Sequence, residues 1–334
     1  MRSIALTLLA AALACQAAEK TLDIYFMDAE GGQATLFVTP AGQSILVDTG
    51  WPGARDADRI VAAAHQAGIT KLDYVLITHF HIDHVGGVPE LVKRLHVDTF
   101  IDHGTSVEHD KAGDALYKAY VDARAQTRHI EIKPGDRVPL KGIDWQIVSA
   151  AGDLITQPLP GAGQKNPLCG TDARRDVDTT ENARSVGSLI TFGKFRVVDL
   201  GDLTWNKEQE LVCPVNRIGT ADVYIVSHHG MNMSGSATFV HALQARVAIM
   251  DNGARKGGTP EAYQAIKSSP GITDIWQLHR AVAGGDANNT TDQLTANVAE
   301  TPDQGFGIKL SAQRDGSFTV TNLRTGFSKR YPAR

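Results

Sequence analysis

Three of the chain's twelve histidines and one aspartate fall within six consecutive residues, His79-Phe80-His81-Ile82-Asp83-His84. Neutral imidazole and carboxylate are the nitrogen and oxygen ligands that zinc-type divalent ions take up. Two histidines spaced two apart at the end of a strand leave the same face, and Asp83 and His84 follow in the turn. Four donors this close crowd one tetrahedral ion. They divide between two, with His79 and His81 on one and Asp83 and His84 on the other. A two-ion centre also needs a shared anion and ligands from elsewhere. Asp202 ends the strand-like "VVDLGD", and Gly201 before it permits close backbone approach. His228 and His229 end the next strand-like run. His228, the positional partner of His79, is the expected ligand, with His229 the alternative ligand or a support behind it. A purely structural role explains the cluster poorly, since buried polar groups without partners are costly.

The elements that must position these residues show as alternation along the chain. Leu22, Ile24 and Phe26 alternate, "QATLFV" and "QSILVDTG" follow, and Pro40-Ala41-Gly42 supplies the turn between those two. Residues 55–67 carry Ile60, Val61 and Ala64 on one helical face, with Gly68 as the stop. "DYVLITH" (73–79) reads as a strand buried on both faces. "VPELVKRLHV" (88–97) reads as a helix with Pro89 in its first turn, 97–102 as a strand and 110–126 as a helix. A second round follows. Ile143, Trp145 and Ile147 share a strand face, and "SVGSLITFGKFRVVDLGD" is two strands joined at Gly193-Lys194. Then come "ADVYIVSHHG" (strand), "SATFVHALQ" (helix), "ARVAIMDN" (strand), "EAYQAIKSS" (helix, capped at Thr259-Pro260), "DIWQLH" (strand) and a hairpin around Asp315-Gly316. Residues 73–81 and 222–230 repeat one pattern: Asp, apolar strand, hydroxyl residue, histidine. This predicts two related β-rich halves packed face to face, with helices covering the sheets. Residues 151–184 break the alternation, and a loop of that length is expected to form a lid or rim. Its Lys165, Arg174, Arg175 and Arg184 alternate with Asp172, Asp176, Asp178 and Glu181, the pattern of a solvated, self-paired loop.

Over 334 residues, 42% apolar and 21% charged, the chain has the balance of a soluble globular protein. A net charge of −4 and a pI near 6.3 provide no overall basic field, which argues against stable binding to long nucleic acids. "MRSIALTLLAAALACQAAEK" has Arg2, an apolar run from Ile4 to Ala14 and small residues at Ala17-Ala18. That is the layout of a secretory signal over residues 1–18, too short for a spanning helix. The expected mature chain, 19–334, is one domain in the periplasm or outside the cell. "ALAC" at 12–15 offers lipid anchoring through Cys15 as the alternative. Export leaves Cys169 and Cys213 in an oxidising place, where a bridge and two buried thiols are both open.

Preceded by "ILVDTG" and followed in order by the Gly-Asp and "SHHG" segments, "THFHIDH" resembles the metallo-β-lactamase-fold hydrolase superfamily. "MDAEGGQATLFVTPAGQSILVDTG", "SLITFGKFRVVDLGD" and "ADVYIVSHHGMNMSGSATFVHALQARVAIM" are similar, more narrowly, to the hydrolase domain of bacterial DNA-uptake competence channels. The likeness spans roughly residues 22–280. It implies an αββα sandwich of two mixed β-sheets, face to face with helices outside. It also implies a dinuclear zinc-type centre, with manganese or iron as alternatives, and a hydrolytic reaction. Asp48 would support a ligand from behind, Asp202 would bridge the ions, Asp83 and Asp202 would serve catalysis, and a bridging hydroxide would attack the substrate. Metal binding lowers the pKa of water toward about 7, which suits that role. The chain departs from the family at one ligand: Asn182, Ser185 and Ser188 stand where many members carry a further metal-binding histidine. His103 and His129 are the histidines near that gap, and His103 or water is expected to complete the first site.

These readings lead to a secreted dinuclear-metal hydrolase acting on a phosphodiester or small ester. A β-lactam or lactone hydrolase is the alternative, and a non-catalytic metal-binding protein on the same fold is the third. The expected partner is a small-molecule or short ester substrate, with no membrane association beyond the export signal.

Overall fold

The computed structural model describes residues 20–301 and 304–334. The expected leader at 1–18, with Cys15, lies outside the described residues. Six strands open the fold: β1 (Leu22–Phe26), β2 (Thr35–Val38), β3 (Ser44–Val47), β4 (Lys71–Leu76), β5 (His96–Asp102) and β6 (Arg128–Glu131). Nine more follow: β7 (Arg137–Val138), β8 (Asp144–Ala150), β9 (Asp153–Leu154), β10 (Gly187–Phe192), β11 (Phe195–Asp199), β12 (Val223–Ile225), β13 (Val247–Met250), β14 (Asp274–His279) and β15 (Thr295–Asn297). The chain ends in β16 (Ile308–Ala312), β17 (Phe318–Asn322) and β18 (Ser328–Tyr331). The helices are α1 (Ala54–Gln66), α2 (Ile82–Val85), α3 (Val88–Leu91), α4 (Lys111–Arg124), α5 (Trp205–Val212), α6 (Ala237–Leu243) and α7 (Pro260–Lys267).

Strand alternation sorts side chains into layers. Leu22, Ile24, Phe26, Phe37, Ile45 and Val47 point to one side and meet Trp145, Ile147, Ile190, Val197, Val223, Ile249 and Trp276 of the opposite sheet. The rings of Phe37 and Trp145 meet edge to face with centroids 4.9 Å apart. The other face of the first sheet, with Leu36, Leu46, Leu72 and Val75, buries Ile60 and Ala64 of α1, Leu91 of α3 and Tyr120 of α4. The far face of the second sheet does the same for Leu211 of α5, Phe239 of α6 and Ile266 of α7. This is the αββα sandwich expected above.

The sheets run β18-β17-β16-β1-β2-β3-β4-β5-β6 and β15-β14-β13-β12-β11-β10-β8-β7, with β9 beside β8. In each, a parallel block carries the site at its strand ends: β3 to β6 in one and β11 to β15 in the other. The internal repeat is real at the level of register. Asp73 Oδ2 accepts the backbone N–H of Ser44 on β3 at 2.8 Å, and Asp222 Oδ2 accepts that of Arg196 on β11 at 2.9 Å. Asp73, within β4, and Asp222, just before β12, each anchor the corresponding residue of the parallel neighbour. The halves are not separate, however. The last three strands cross back to the first sheet, where β16 pairs antiparallel with β1.

Three expectations change. The helix predicted over 88–97 is short, ending at Leu91, because His96 already begins β5. The strand predicted over 73–79 ends at Leu76, so His79 stands in the loop beyond it. Most of the 151–184 segment is fastened to the outside of the second sheet rather than draped over the site. Cys169 is disulfide-bonded to Cys213 after α5, Lys165 bridges Val215, and Asn166 Nδ2 donates to Thr238 O at 3.1 Å.

Helix α5 has no apolar stripe to announce it, because its buried face includes Asn206, Glu208 and Gln209. Asn206 clasps the backbone of Arg175, accepting its N–H at 3.0 Å and donating to its carbonyl at 2.7 Å. Glu208 is fully buried, and burial pushes its pKa from the ordinary 4.5 up to about 8. The native state therefore holds a proton that the unfolded chain releases earlier. Stability from this group, present below about pH 4.5, is lost as pH rises to about 8. Glu208→Gln keeps an acceptor for the N–H of Gly235, which Glu208 Oε2 meets at 2.6 Å. The variant is expected to flatten the fall of melting temperature across that window, and an unchanged slope in melts from pH 5 to 8 would remove the assignment.

Candidate metal centre

Asp48, just past β3, is fully buried with φ 56°. Its Oδ1 accepts the N–H of Thr78 at 2.7 Å, and its Oδ2 accepts the Thr78 hydroxyl at 2.6 Å. The same Oδ2 lies 2.7 Å from Nδ1 of His84. The carboxylate thus fixes the imidazole so that Nε2 faces inward, the arrangement that orients a metal-binding histidine. The turn carrying His84 is clamped to this loop. The N–H of Thr49 donates to His84 O at 2.7 Å, and a Cβ on Gly87 would lie 2.1 Å from Thr49 O.

Asp202 arrives from the other sheet. Gly201 before it has φ 54°, and a Cβ there would come within 2.8 Å of Thr78, so only glycine lets the two sheets' loops touch. Asp202 Oδ2 lies 3.3 Å from His84 Nε2, 3.4 Å from His228 Nε2 and 3.9 Å from His79 Nε2. Its Oδ1 lies 3.4 Å from His229 Nε2. His228 and His229 both adopt left-handed backbone, with φ 55° and 54°, a conformation costing non-glycine residues roughly 1–2 kcal/mol each. Their rings stand 78° apart in plane and reach opposite oxygens of the same carboxylate. His229 Nε2 also lies 3.3 Å from Asp83 Oδ2 and 3.1 Å from His84 Nε2. Asp83, His84, Asp202 and His229 therefore converge as one buried donor set, with His228 against Asp202 beside it. Behind His229, Asp251 Oδ2 sits 3.4 Å from Nδ1, where Asp48 sits behind His84.

His79 and His81 flank Phe80 as expected, with ring centroids 4.7 Å apart. His79 is fully buried and its Nδ1 meets the Thr78 hydroxyl at 3.1 Å. His81 is partly exposed, its Nε2 3.0 Å from Glu108 Oε1. His103 is turned elsewhere: its Nε2 pairs with Glu181 Oε2 at 3.0 Å, and the same oxygen accepts the N–H of Phe80. His129 pairs with Asp102 at 2.8 Å. The segment with Asn182, Ser185 and Ser188 does run past the site, since the N–H of Val186 donates to Thr78 O at 2.8 Å. Ser188 accepts from Trp145 Nε1, whereas Asn182 Oδ1 and Ser185 Oγ are buried without a partner among the described residues.

The electrostatics favour a bound cation. Burial opposes a charge on His84, yet Asp202, Asp83 and Asp48 hold its pKa well above the usual histidine range. Burial likewise opposes charge on His229, as does Lys256, but Asp202 and Asp251 raise it to about 10. Burial pushes Asp202 upward, and His84, His229 and His228 overcome it, keeping the carboxylate well below its ordinary range. His79, by contrast, is driven well below the usual range, first by burial and then by the His84 charge. His79 Nε2 and Asp202 Oδ1 are buried with no hydrogen-bond partner among the described residues. Such orphaned donor atoms are rare in folded proteins, and a divalent ion satisfies both a neutral imidazole and a carboxylate. The residues present fit metal.

Several residues here escaped the sequence reading. Glu181 ties the long loop to Phe80, Asp251 backs His229, and Lys256 places its ammonium on Asp83 Oδ2. They come from irregular loops without periodicity. A second group, Asp28, Glu30 and His279, also gathers donor atoms. There Arg59 already pairs with Asp28 at 3.0 Å, and His279 Nε2 meets Asp28 at 2.7 Å, so the group is an internally neutralised link between the sheets.

Residues 28–163 match the family model described as the metallo-beta-lactamase superfamily. A UPF0173 metal-dependent hydrolase of Cupriavidus necator is 25% identical over 241 residues, covering 70% of this chain and 76% of that one. Competence protein ComA of Neisseria gonorrhoeae is 23% identical over 225 residues, covering 67% of this chain. This chain spans only 26% of ComA's length. Among solved structures, Tm1679, a metal-dependent hydrolase of the beta-lactamase superfamily, is 16% identical with a TM-score of 0.42, covering 78% of this chain and 97% of that one.

Proposed function

Because this chain is a metal-dependent hydrolase carrying a metallo-β-lactamase superfamily domain, we propose that it cleaves a phosphodiester or small ester outside the cytoplasm with a pair of zinc-type ions. The observation that carries the reading is Asp202, one carboxylate approached by four imidazoles from two sheets. His79, His81 and His228 would hold one ion and Asp83, His84 and His229 the other, with Asp202 shared. Assigning His228 to the first ion rests on its contact with Asp202 alone, whereas His229 also meets Asp83, and it supplies the third imidazole missing near Asn182. A divalent pair supplies an acidified water at neutral pH and an electrophile for the substrate's oxygens.

The chain's own residues do the rest. Asp48 keeps Nδ1 of His84 engaged so that Nε2 faces the centre, and the Asp251 carboxylate stands 3.4 Å behind Nδ1 of His229. Phe80 and the buried Val85 and Leu203 keep bulk water from the inner side, while the partly exposed His81 leaves an approach for substrate. A cavity of about 480 Å³ adjoins the centre, lined by Thr204, Trp205, Met233 and Arg175 among others. Met233 precedes Ser234, whose hydroxyl lies 3.4 Å from His228 Nδ1. Arg175 Cζ stands over the Trp205 ring, 3.7 Å from its centroid; its guanidinium donates to Asn232 O and forms none of the ion pairs among the described residues, unlike Arg174, which pairs with Glu210. That size suits one arm of a small ester, and the lining sets Arg174 and Arg175 against Asp176 and Asp178. The Cys169–Cys213 bridge supports an oxidising compartment, in keeping with the leader-like sequence at 1–18.

Zinc- or manganese-loaded protein is expected to hydrolyse bis(p-nitrophenyl) phosphate, to lose activity on chelation and to regain it when metal is returned. Absence of turnover with metal demonstrably bound would move the reaction to carbon esters and lactams, for which a chromogenic cephalosporin is the next substrate.

A further inference from the structure

Two irregular loops meet at Asp83 with backbone-to-backbone contact. In one, a Cβ on Gly32 would fall 2.4 Å from Asp83 O, and a Cβ on Gly31 would fall 2.9 Å from Lys256 Cβ. In the other, a Cβ on Gly253 would fall 2.6 Å from the Glu30 carbonyl carbon, and the N–H of Gly253 donates to Lys256 O at 2.9 Å. The glycines leave no slack, and the product is a fixed position for one ammonium. Lys256 Nζ contacts Asp83 Oδ2, donates to Gly31 O at 2.8 Å and stands 5.4 Å from the Trp51 ring centroid.

The same Asp83 oxygen faces His84 Nε2 at 3.4 Å and His229 Nε2 at 3.3 Å. One carboxylate oxygen is thus shared between a built-in monocation and the two imidazoles that would hold the second ion. The other half of the centre differs. No lysine or arginine among the described residues forms an ion pair with Asp202, whose charged partners are all histidines. A divalent ion taking up Asp83 would therefore sit a few ångströms from an ammonium already placed there, whereas no such cation contacts Asp202, and like charges that close oppose each other strongly.

Building on the two-ion assignment above, we infer that Lys256 is an internal counter-cation that competes with the second divalent ion for Asp83. The centre then loads in order: the ion on the His79, His81 and His228 side binds tightly, and the ion on the Asp83, His84 and His229 side binds weakly. With the second position unfilled, Lys256 neutralises Asp83 and keeps its carboxylate from drawing the first ion out of place.

The test is zinc titration of metal-stripped protein against a chromophoric chelator, reading two affinities rather than turnover. The parent is expected to bind one tight equivalent and a second at least about tenfold weaker. Lys256→Met removes the charge from a side chain that is partly exposed, so the fold should tolerate it. It is expected to tighten the second equivalent by about tenfold or more, the usual reach of residues that contact metal ligands. Lys256→Arg should keep the parental gap. Two equal equivalents in the parent, or a gap that Lys256→Met leaves unchanged or widens, would overturn the inference while leaving the two-ion reading intact. Failure of the parent to bind zinc at all would instead sink that reading.

Discussion

Asp202→Ala is expected to lower turnover of an activated phosphodiester by roughly 10³-fold, the scale of removing a group that stabilises the transition state directly. Zinc affinity should fall together with turnover, because both positions lose their shared ligand. What makes the prediction sharp is the behaviour expected of the fold. The Asp202 carboxylate contacts imidazoles at 3.3–3.9 Å, and its Oδ1 has no hydrogen-bond partner among the described residues. Removing it unpairs no backbone group, but it withdraws the charge that His84, His229 and His228 stabilise against burial. The metal-free variant should therefore melt below the metal-free parent, and added zinc should raise the parent's melting temperature far more than the variant's. Equal zinc-induced stabilisation of the two would mean that Asp202 is not a metal ligand.

Asp48→Ala should act on the fold first. Asp48 accepts from the Thr78 backbone and hydroxyl and faces His84 Nδ1, all in a fully buried place. Its removal leaves the Thr78 N–H and His84 Nδ1 without this partner, the Thr78 hydroxyl keeping His79 Nδ1 at 3.1 Å, and uncouples a buried carboxylate–imidazole pair, a loss of about 3–5 kcal/mol. Chemical denaturation of the metal-free protein should show it as a lower midpoint. Asp48→Asn separates folding from metal chemistry. It preserves the shape and one acceptor, but cannot hold His84 with Nε2 unprotonated toward the centre. Zinc affinity should drop by about 10–100-fold with a much smaller loss of stability. Equal zinc affinity for the Asn variant and the parent would rule out the orienting role.

The two variants also show what kind of information the sequence held. The gathering of Asp83 and His84 with Asp202 and His229 could be read because "HFHIDH" concentrates unlike chemistry in six residues, and because the repeat pairs Asp73 with Asp222 and His79 with His228. The layers could be read because Leu22-Ile24-Phe26 and Phe37-Ile45-Val47 alternate cleanly toward a common core. The share of work between His228 and His229 could not, since it follows from two consecutive left-handed residues that aim their rings apart. Lys256 lies 173 residues from Asp83 in the chain, and only the close packing of Gly31, Gly32 and Gly253 brings them together. Helix α5 stayed hidden because its buried face spends polar side chains on holding a loop. The short outer strands β6, β7 and β18 carry too little pattern to stand out from turns.

The crossing of β16, β17 and β18 to the edge of β1 has a consequence for how the molecule comes into being. β1 is made nearly three hundred residues before its outer neighbour β16. Until then the first sheet presents an unpaired strand edge, open to pairing with any other chain nearby. A ribosome-bound or partly translocated chain cannot finish either the first sheet or the core that the two sheets share. Folding is therefore a single late event rather than one half followed by the other, with the slow closure that long-range pairing imposes. Splitting the gene between the two repeats should yield fragments that aggregate alone and recover the sandwich only when the tail is supplied to the N-terminal piece.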